Sequence, residues 1–401
     1  MHLAAAGVAV LGVLAACGGD SGSGDSGGET VKLGSLLPTT GDLAPLGENT
    51  LNATKLAVKE ATAGDAAVEL ISQDGGSQES IAQSAVQQLL AEDPVGIVGA
   101  VSSAVCLSVI DTVVQSEIPM ISPACTSPQL TTYEDDGLFY RTAAPSDVQG
   151  ALLADVAYED GVRSVALMAV NNSYGQSISE RFVERFTELG GEVAAEINYD
   201  AAAKTFTAEV QQVAAAEPDA VVLIGYADTG AAIVHDASQR GLLDLPWYTG
   251  DGIQDASFPT EALPNSPEQL YSWKGIGIGA ADSDAASTFA KAYQEEYGEE
   301  APSFSAQAYD SAWVLLLAGL KAQASDTDPV DEIANVLDPE AEPCIAADCL
   351  AAVQEGTNVA YQGATGLTAF DENGDPTSST FVIWQFAADG ITTLQTLESG
   401  Q

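Results

Sequence analysis

The feature that most limits how this chain can fold is a regular alternation of short apolar runs with longer stretches of helical character. VKLGSLL (31–37), VELIS (68–72), VGIVGA (95–100) and IPMIS (118–122) read as strands, with helices expected over 46–63, 78–92 and 103–116. Continuous apolar runs of this length mark parallel strands buried on both faces. The pattern then restarts. A helix opened by Ser146, Asp147 and Gln149 reaches 159, followed by SVALMAV (164–170), a helix over 174–189 and EVAAEINY (192–199). A helix over 206–216, DAVVLIG (219–225), a helix over 229–240 and LPWYTG (245–250) complete it. Two successive βαβα series predict two open, doubly wound α/β units, which suits the 401-residue length. Beyond them come helices expected over 283–297 and 304–320, then a β-rich tail in which FDENGDP (370–376) is expected to join strands.

Charge narrows the function. There are 12 Lys and Arg against 58 Asp and Glu, a formal charge of −46. Such a chain lacks the basic surface that displaces counterions from nucleic acid, and it lacks the basic face of a membrane-surface helix. Self-repulsion on this scale weakens the compact state at low ionic strength, consistent with a saline or otherwise ion-rich habitat. We predict that the melting temperature rises between low and molar salt; thermal unfolding at both concentrations checks this.

The N-terminal region reads as an export signal. Leu3 to Ala16 form the apolar run LAAAGVAVLGVLAA, too short to span a bilayer, which takes about 20 residues, and of the length of a signal-peptide core. It is preceded only by Met1 and His2, without the usual basic start. Leu14-Ala15-Ala16-Cys17 resembles the lipobox of bacterial lipoproteins, which implies cleavage after residue 16 and lipid on Cys17. GGDSGSGDSGGE (18–29) is a Gly/Ser tether with no capacity to fold. Localisation at the outer face of the cell membrane follows as the expectation. The remaining cysteines, Cys106, Cys125, Cys344 and Cys349, are even in number. In an exported chain this points to two disulfides, with three pairings open. Cys344 and Cys349 enclose the short loop CIAADC and form the local pair, leaving Cys106 for Cys125.

Catalytic motifs are missing. No Walker loop or H-E-x-x-H occurs, and the G-x-S-x-G match GDSGG (24–28) falls in the Gly/Ser tether, not at the strand-to-helix turn that a nucleophile elbow needs. His235 is the single His after the leader and lies in an expected helix, which favours a structural role. Two His and these Cys spacings do not make a zinc site. Asp371, Asn373 and Asp375 are spaced like the start of a calcium loop, but Pro376 and Val382 occupy its sixth and twelfth positions, so a plain turn is expected. Binding without chemistry leads, over a lipid-anchored enzyme.

In open α/β sheets, ligands sit beyond the carboxyl ends of the strands. There, Val101-Ser102-Ser103 and Pro123-Ala124-Cys125-Thr126-Ser127 place small hydroxyl residues at helix N-termini. Free N–H groups and the helix dipole favour an anion at such ends, although plain N-capping uses the same residues. In the second half the strand ends carry Tyr174, Tyr226 and Asp251. An acid on one edge and hydroxyls with helix ends on the other suit a zwitterion.

At this point the chain resembles the branched-chain amino-acid-binding proteins of ABC transporters. The resemblance is carried by TVKLGSLLPTTGDLAPLG (30–47), GAVSSAV (99–105), IPMISPACTSPQLT (118–131), YRTAAPSDVQGALLA (140–154), NNSYGQS (171–177) and FDENGDP, in order along nearly the whole mature chain. It implies a type I periplasmic-binding fold, with two Rossmann-like lobes, three hinge crossovers and an interlobe ligand cleft. The expected lobes are 30–142 plus 279–366 and 143–278 plus 367–401, with hinge strands near 140–144, 272–279 and 366–370. Residue by residue, Ser103 and Thr126, with Ser102 beside them, match the carboxylate-binding hydroxyls. Ala124 matches the carbonyl contact to the ammonium, and Tyr174 and Tyr226 match the cleft tyrosines. Asp251 matches an ammonium ligand that is usually Glu. Leu46 stands where the family places a larger aromatic, which implies a roomier pocket. No Cys lies near residue 75, so Cys106–Cys125 departs from the family's usual pairing. The resemblance further implies a monomer without cofactor or metal that delivers an amino acid to an ABC permease. A receptor-type sensor, or import of an amide, urea or small organic acid, are the alternatives.

Overall fold

The computed structural model describes residues 29–399. The expected signal peptide (1–16), Cys17 and the tether up to residue 28 lie outside the described residues. Five strands form the first sheet: β1 (Val31–Leu37), β2 (Val68–Asp74), β3 (Gly96–Gly99), β4 (Met120–Ser122) and β5 (Phe139–Arg141). They are all parallel, in the order β2-β1-β3-β4-β5. The next five are β6 (Ser164–Val170), β7 (Glu192–Tyr199), β8 (Ala220–Ile224), β9 (Trp247–Thr249) and β10 (Lys274–Ile278). A small parallel pair follows, β11 (Pro343–Cys344) and β12 (Ala360–Tyr361), then β13 (Ser379–Ala387) and β14 (Gly390–Ser399). The second sheet runs β14-β13-β10-β9-β8-β6-β7. Within it β13 pairs antiparallel with both β10 and β14, and the other pairings are parallel. This is the mixed, doubly wound α/β architecture expected from the alternation, and it has the type I periplasmic-binding form that the resemblance implies.

The chain passes between the sheets three times: after β5, after β10, and through the irregular stretch that precedes β13. Helices Asp284–Tyr297, Ser305–Ser325 and Pro329–Val336 fall between the second and third passages. Helix Ser305–Ser325 is buried on every side from Ser305 to Ala322, as a helix apolar all round must be. It packs against helix Ala44–Ala63 and behind β1 and β3. Gly96 makes room for it, since a Cβ there would sit 2.4 Å from Leu315.

The structure corrects the sequence reading in two places. First, β2 is not buried on both faces, because it ends its sheet. At the end of the other sheet, β7 alternates exposed with covered residues. β5 and β10 overlap the segments 140–144 and 272–279 read as hinge strands. Second, FDENGDP joins no strands. Phe370 and Pro376 close it as an isolated bridge, and the turn of the β-rich tail lies at 388–389. The FDENGDP turn docks instead on β5, where the Arg141 N–H donates to the Gly374 carbonyl at 2.9 Å. Its acids follow a turn's hydrogen bonding, with Asp371 accepting from the N–H groups of Asn373 (2.8 Å) and Asp375 (2.9 Å). Both disulfides, Cys106–Cys125 and Cys344–Cys349, pair as read from the sequence.

Candidate functional site

Each sheet changes winding direction where strands before and after its first strand diverge, at β1/β3 and at β6/β8. Ligands of open α/β sheets bind outside the carboxyl ends at such points. Here the two points face each other across a cavity of about 280 Å³. The first half contributes Leu43 and Leu46 from beyond β1, Val101 and Ser103 from beyond β3, Ala124 from beyond β4, and Phe304. The second contributes Tyr174 from beyond β6, Tyr226 from beyond β8, and Asp251 and Gly252 from beyond β9. A neighbouring space of about 360 Å³ shares Leu43, Leu46, Asp251 and Gly252 and reaches Asp42, Asn49 and Asp255.

Helix Ser103–Val114 starts at the cavity wall with Ser102 as its N-cap. The Ser102 side chain makes no capping bond; its hydroxyl lies against that of Tyr226. Ser103 Oγ accepts the Ser127 N–H at 3.1 Å, which ties the two strand-end loops together. That bond occupies a lone pair and leaves the Ser103 hydroxyl hydrogen free to donate. The helix start also brings unpaired backbone N–H groups and the positive end of the dipole.

The opposite wall is aromatic and acidic. Tyr174 and Tyr226 stack with ring centroids 5.5 Å apart. The Tyr174 hydroxyl donates to Asp251 Oδ1 at 2.7 Å and accepts the Gly252 N–H at 3.1 Å. Asn172 Nδ2 donates to the Tyr226 hydroxyl at 3.0 Å. Burial pushes the Tyr226 phenol up to about 12. Tyr174 is held well above its ordinary value by burial and by the neighbouring Asp251 charge. Both therefore stay neutral donors at physiological pH. Asp251 is 4% exposed. Its second oxygen, Oδ2, is buried with no partner among the described residues, and burial raises its pKa. Among the described residues no Lys, Arg or His lines the cavity.

The structure thus brings Leu46, Ser103, Ala124, Tyr174, Tyr226 and Asp251 around one space, with Ser102 at its edge. Thr126 does not line it. That residue is 1% exposed, and its Oγ1 has no partner among the described residues. Sequence reasoning missed Leu43, Val101, Gly252 and Phe304. Val101 and Gly252 adjoin named residues in the same strand-end segments. Phe304 had a weaker signal, the start of an apolar helix. It is the N-cap of helix Ser305–Ser325 in a left-handed conformation, φ 64°, unusual for an aromatic residue and the means by which its ring reaches the cavity. His235 is exposed on helix Ala227–Ser238, beside Gln239 and away from the cavity. Among the described residues no group of His, Cys, Asp and Glu is arranged to hold a metal, and no helix is long and apolar enough to cross a membrane.

Known proteins share this architecture. The chain is 25% identical to the chemotactic signal transduction system substrate-binding protein BasB of Halobacterium salinarum, over 93% of this chain and 91% of that one. It is 23% identical to the Leu/Ile/Val-binding protein homolog 3 of Brucella melitensis, over 89% and 91%. Among solved structures, the leucine-binding protein LivK of Thermotoga maritima superposes with a TM-score of 0.78 at 25% identity, covering 92% of this chain and 99% of that one. A solute-binding protein of an ABC transporter from R. palustris, solved with benzoate, gives 0.75 at 18% identity over 93% and 98%, a likeness of fold alone. The periplasmic binding protein family matches residues 30–390. The chain belongs to that family and has the type I fold.

Proposed function

We propose that this protein binds an α-amino acid with an apolar side chain between its two halves and delivers it to an ABC permease. The observation that carries the reading is Asp251, a buried carboxylate in the cavity wall with one oxygen unpartnered and no cation beside it. A buried charge is costly until paired, and a ligand ammonium is the group that pairs it. The ligand carboxylate then faces the Ser103 hydroxyl and the start of helix Ser103–Val114, while Leu43, Leu46, Val101 and Phe304 surround an apolar side chain. A benzoate-type acid carries no ammonium and would meet Asp251 as a like charge.

In this reading the lobes are 30–142 plus 279–366 and 143–278 plus 367–401. They close on the ligand by rotation at the three passages. Lipid on Cys17 holds the protein at the outer face of the membrane. The test is mass spectrometry of the small molecule released when the purified protein is denatured: an apolar α-amino acid is expected, and an aromatic acid or sugar would refute the assignment. Leu46 lines both spaces and sets the room for the side chain. Leu46→Trp is expected to weaken phenylalanine binding at least tenfold while leaving alanine within threefold, read by competition titration. A second reading, closure sensed by a signal transducer in place of a permease, is favoured by the similarity to BasB along 93% of this chain. Co-purification of membrane partners separates the two.

A further inference from the structure

Behind the ligand cavity lies a wholly buried cation that binding alone does not call for. Arg141 ends β5 and is 0% exposed. Its Nη1 donates to the carbonyls of Cys125 (3.1 Å) and Ser127 (2.8 Å), on either side of Thr126. Its Nε and Nη2 form a forked pair with Asp375, at 2.5 and 3.0 Å, and Nη2 also meets Thr131 Oγ1. Thr131 in turn donates to Asp375 Oδ2 at 2.8 Å. Asp375 belongs to the 370–376 turn. That turn sits tightly on β5, since a Cβ at Gly374 would lie 2.2 Å from the Phe139 carbonyl.

Peptide planarity makes this arrangement directional. In a trans peptide the C=O and N–H point opposite ways, so a guanidinium holding the Cys125 carbonyl turns the Thr126 N–H away from itself. No acceptor among the described residues takes that N–H. Neighbouring backbone groups are occupied: the Thr126 carbonyl accepts from the Ser146 N–H at 2.8 Å, and the Ser127 N–H donates to Ser103 Oγ. A charged donor on the carbonyl also polarises the peptide and strengthens its N–H as a donor.

We propose that Arg141, locked by Asp375, is a positioning residue for the ligand's carboxylate, acting through the Cys125–Thr126 peptide, whose N–H it aims and polarises. Arg fits this task and Lys does not, because five donors in a fixed plane are needed to hold two carbonyls and a carboxylate together. The proposal rests on the amino-acid reading above. It assigns the 370–376 turn a part in binding, as the anchor of Arg141.

The test compares leucine with leucinamide, which keeps the ammonium and side chain but loses the carboxylate, by calorimetry on the mature protein. Arg141→Lys is expected to weaken leucine at least tenfold and leucinamide less than threefold. Equal losses on both ligands, or none, would overturn the proposal, because a merely structural role moves both alike. Asp375→Asn keeps the guanidinium but frees it, and is expected to show the same selective loss, threefold or more, should Arg141→Lys not fold. Asp251→Asn is the internal control and is expected to weaken both ligands together. A wild-type protein that binds neither ligand overturns the amino-acid reading and this proposal with it. Wild-type binding with an unselective Arg141→Lys overturns this proposal alone.

Discussion

Asp251→Ala is expected to lower amino-acid affinity at least tenfold, about 1.4 kcal/mol, and to leave the fold intact. Asp251 lies beyond β9 in the turn Asp251–Ile253 and does not support the core. What it supplies is a desolvated negative charge, half satisfied by the Tyr174 hydroxyl. Truncation leaves the ligand ammonium buried without a counter-ion, the costly half of breaking a buried pair. Calorimetric titration with leucine measures the loss, and unchanged affinity would remove the ammonium role. A companion effect has the opposite sign. Burial holds the Asp251 pKa above 3.8 in the folded protein. A carboxyl raised in the folded state adds stability below its unfolded pKa, and that stability is lost as pH rises through the folded value. At neutral pH the ionised side chain therefore opposes folding of the empty protein. Asp251→Asn is expected to raise the ligand-free melting temperature at pH 7, with the gain vanishing on acidification. Binding itself is expected to weaken as pH falls toward that raised pKa, because protonation removes the ammonium's partner.

Replacing Cys106 and Cys125 by Ala together is expected to cost about 3 kcal/mol of stability, the loop-closure value for a sequence separation of 19. Removing Cys344–Cys349, with a separation of 5, is expected to cost less, about 2 kcal/mol. Denaturant midpoints with unchanged slope read both effects. The first pair does more than close a loop. Both cysteines are fully buried in the smaller core cluster beside Val105, Val109 and Met120. Cys125 also lies between Ala124, which lines the cavity, and Thr126. Losing that bond is therefore expected to lower ligand affinity as well, while losing Cys344–Cys349 is not. Equal effects on affinity would contradict this link between the disulfide and the site.

Strand runs such as SVALMAV and EVAAEINY were legible to the residue, because apolar β-branched residues bounded by turn residues leave little choice of register. Strand ends then located Ser103, Tyr174, Tyr226 and Asp251, since the topology alone says where a doubly wound sheet presents side chains. The sequence could not show how the 370–376 turn is used. Its carboxylate answers Arg141, 234 residues away, and no local period carries such a pairing. Phe304 was hidden for a similar reason, since its reach depends on a left-handed backbone that aromatic residues seldom adopt. The full burial expected for β2 failed because a run of strand residues does not reveal which strand ends the sheet.

The most direct test of the central claim is parallel titration of the unliganded protein with leucine and with benzoate. Binding of leucine, abolished or sharply weakened in Asp251→Ala, and no heat from benzoate are the results expected of a cleft built for a zwitterion. Tight benzoate binding without response to leucine would contradict it.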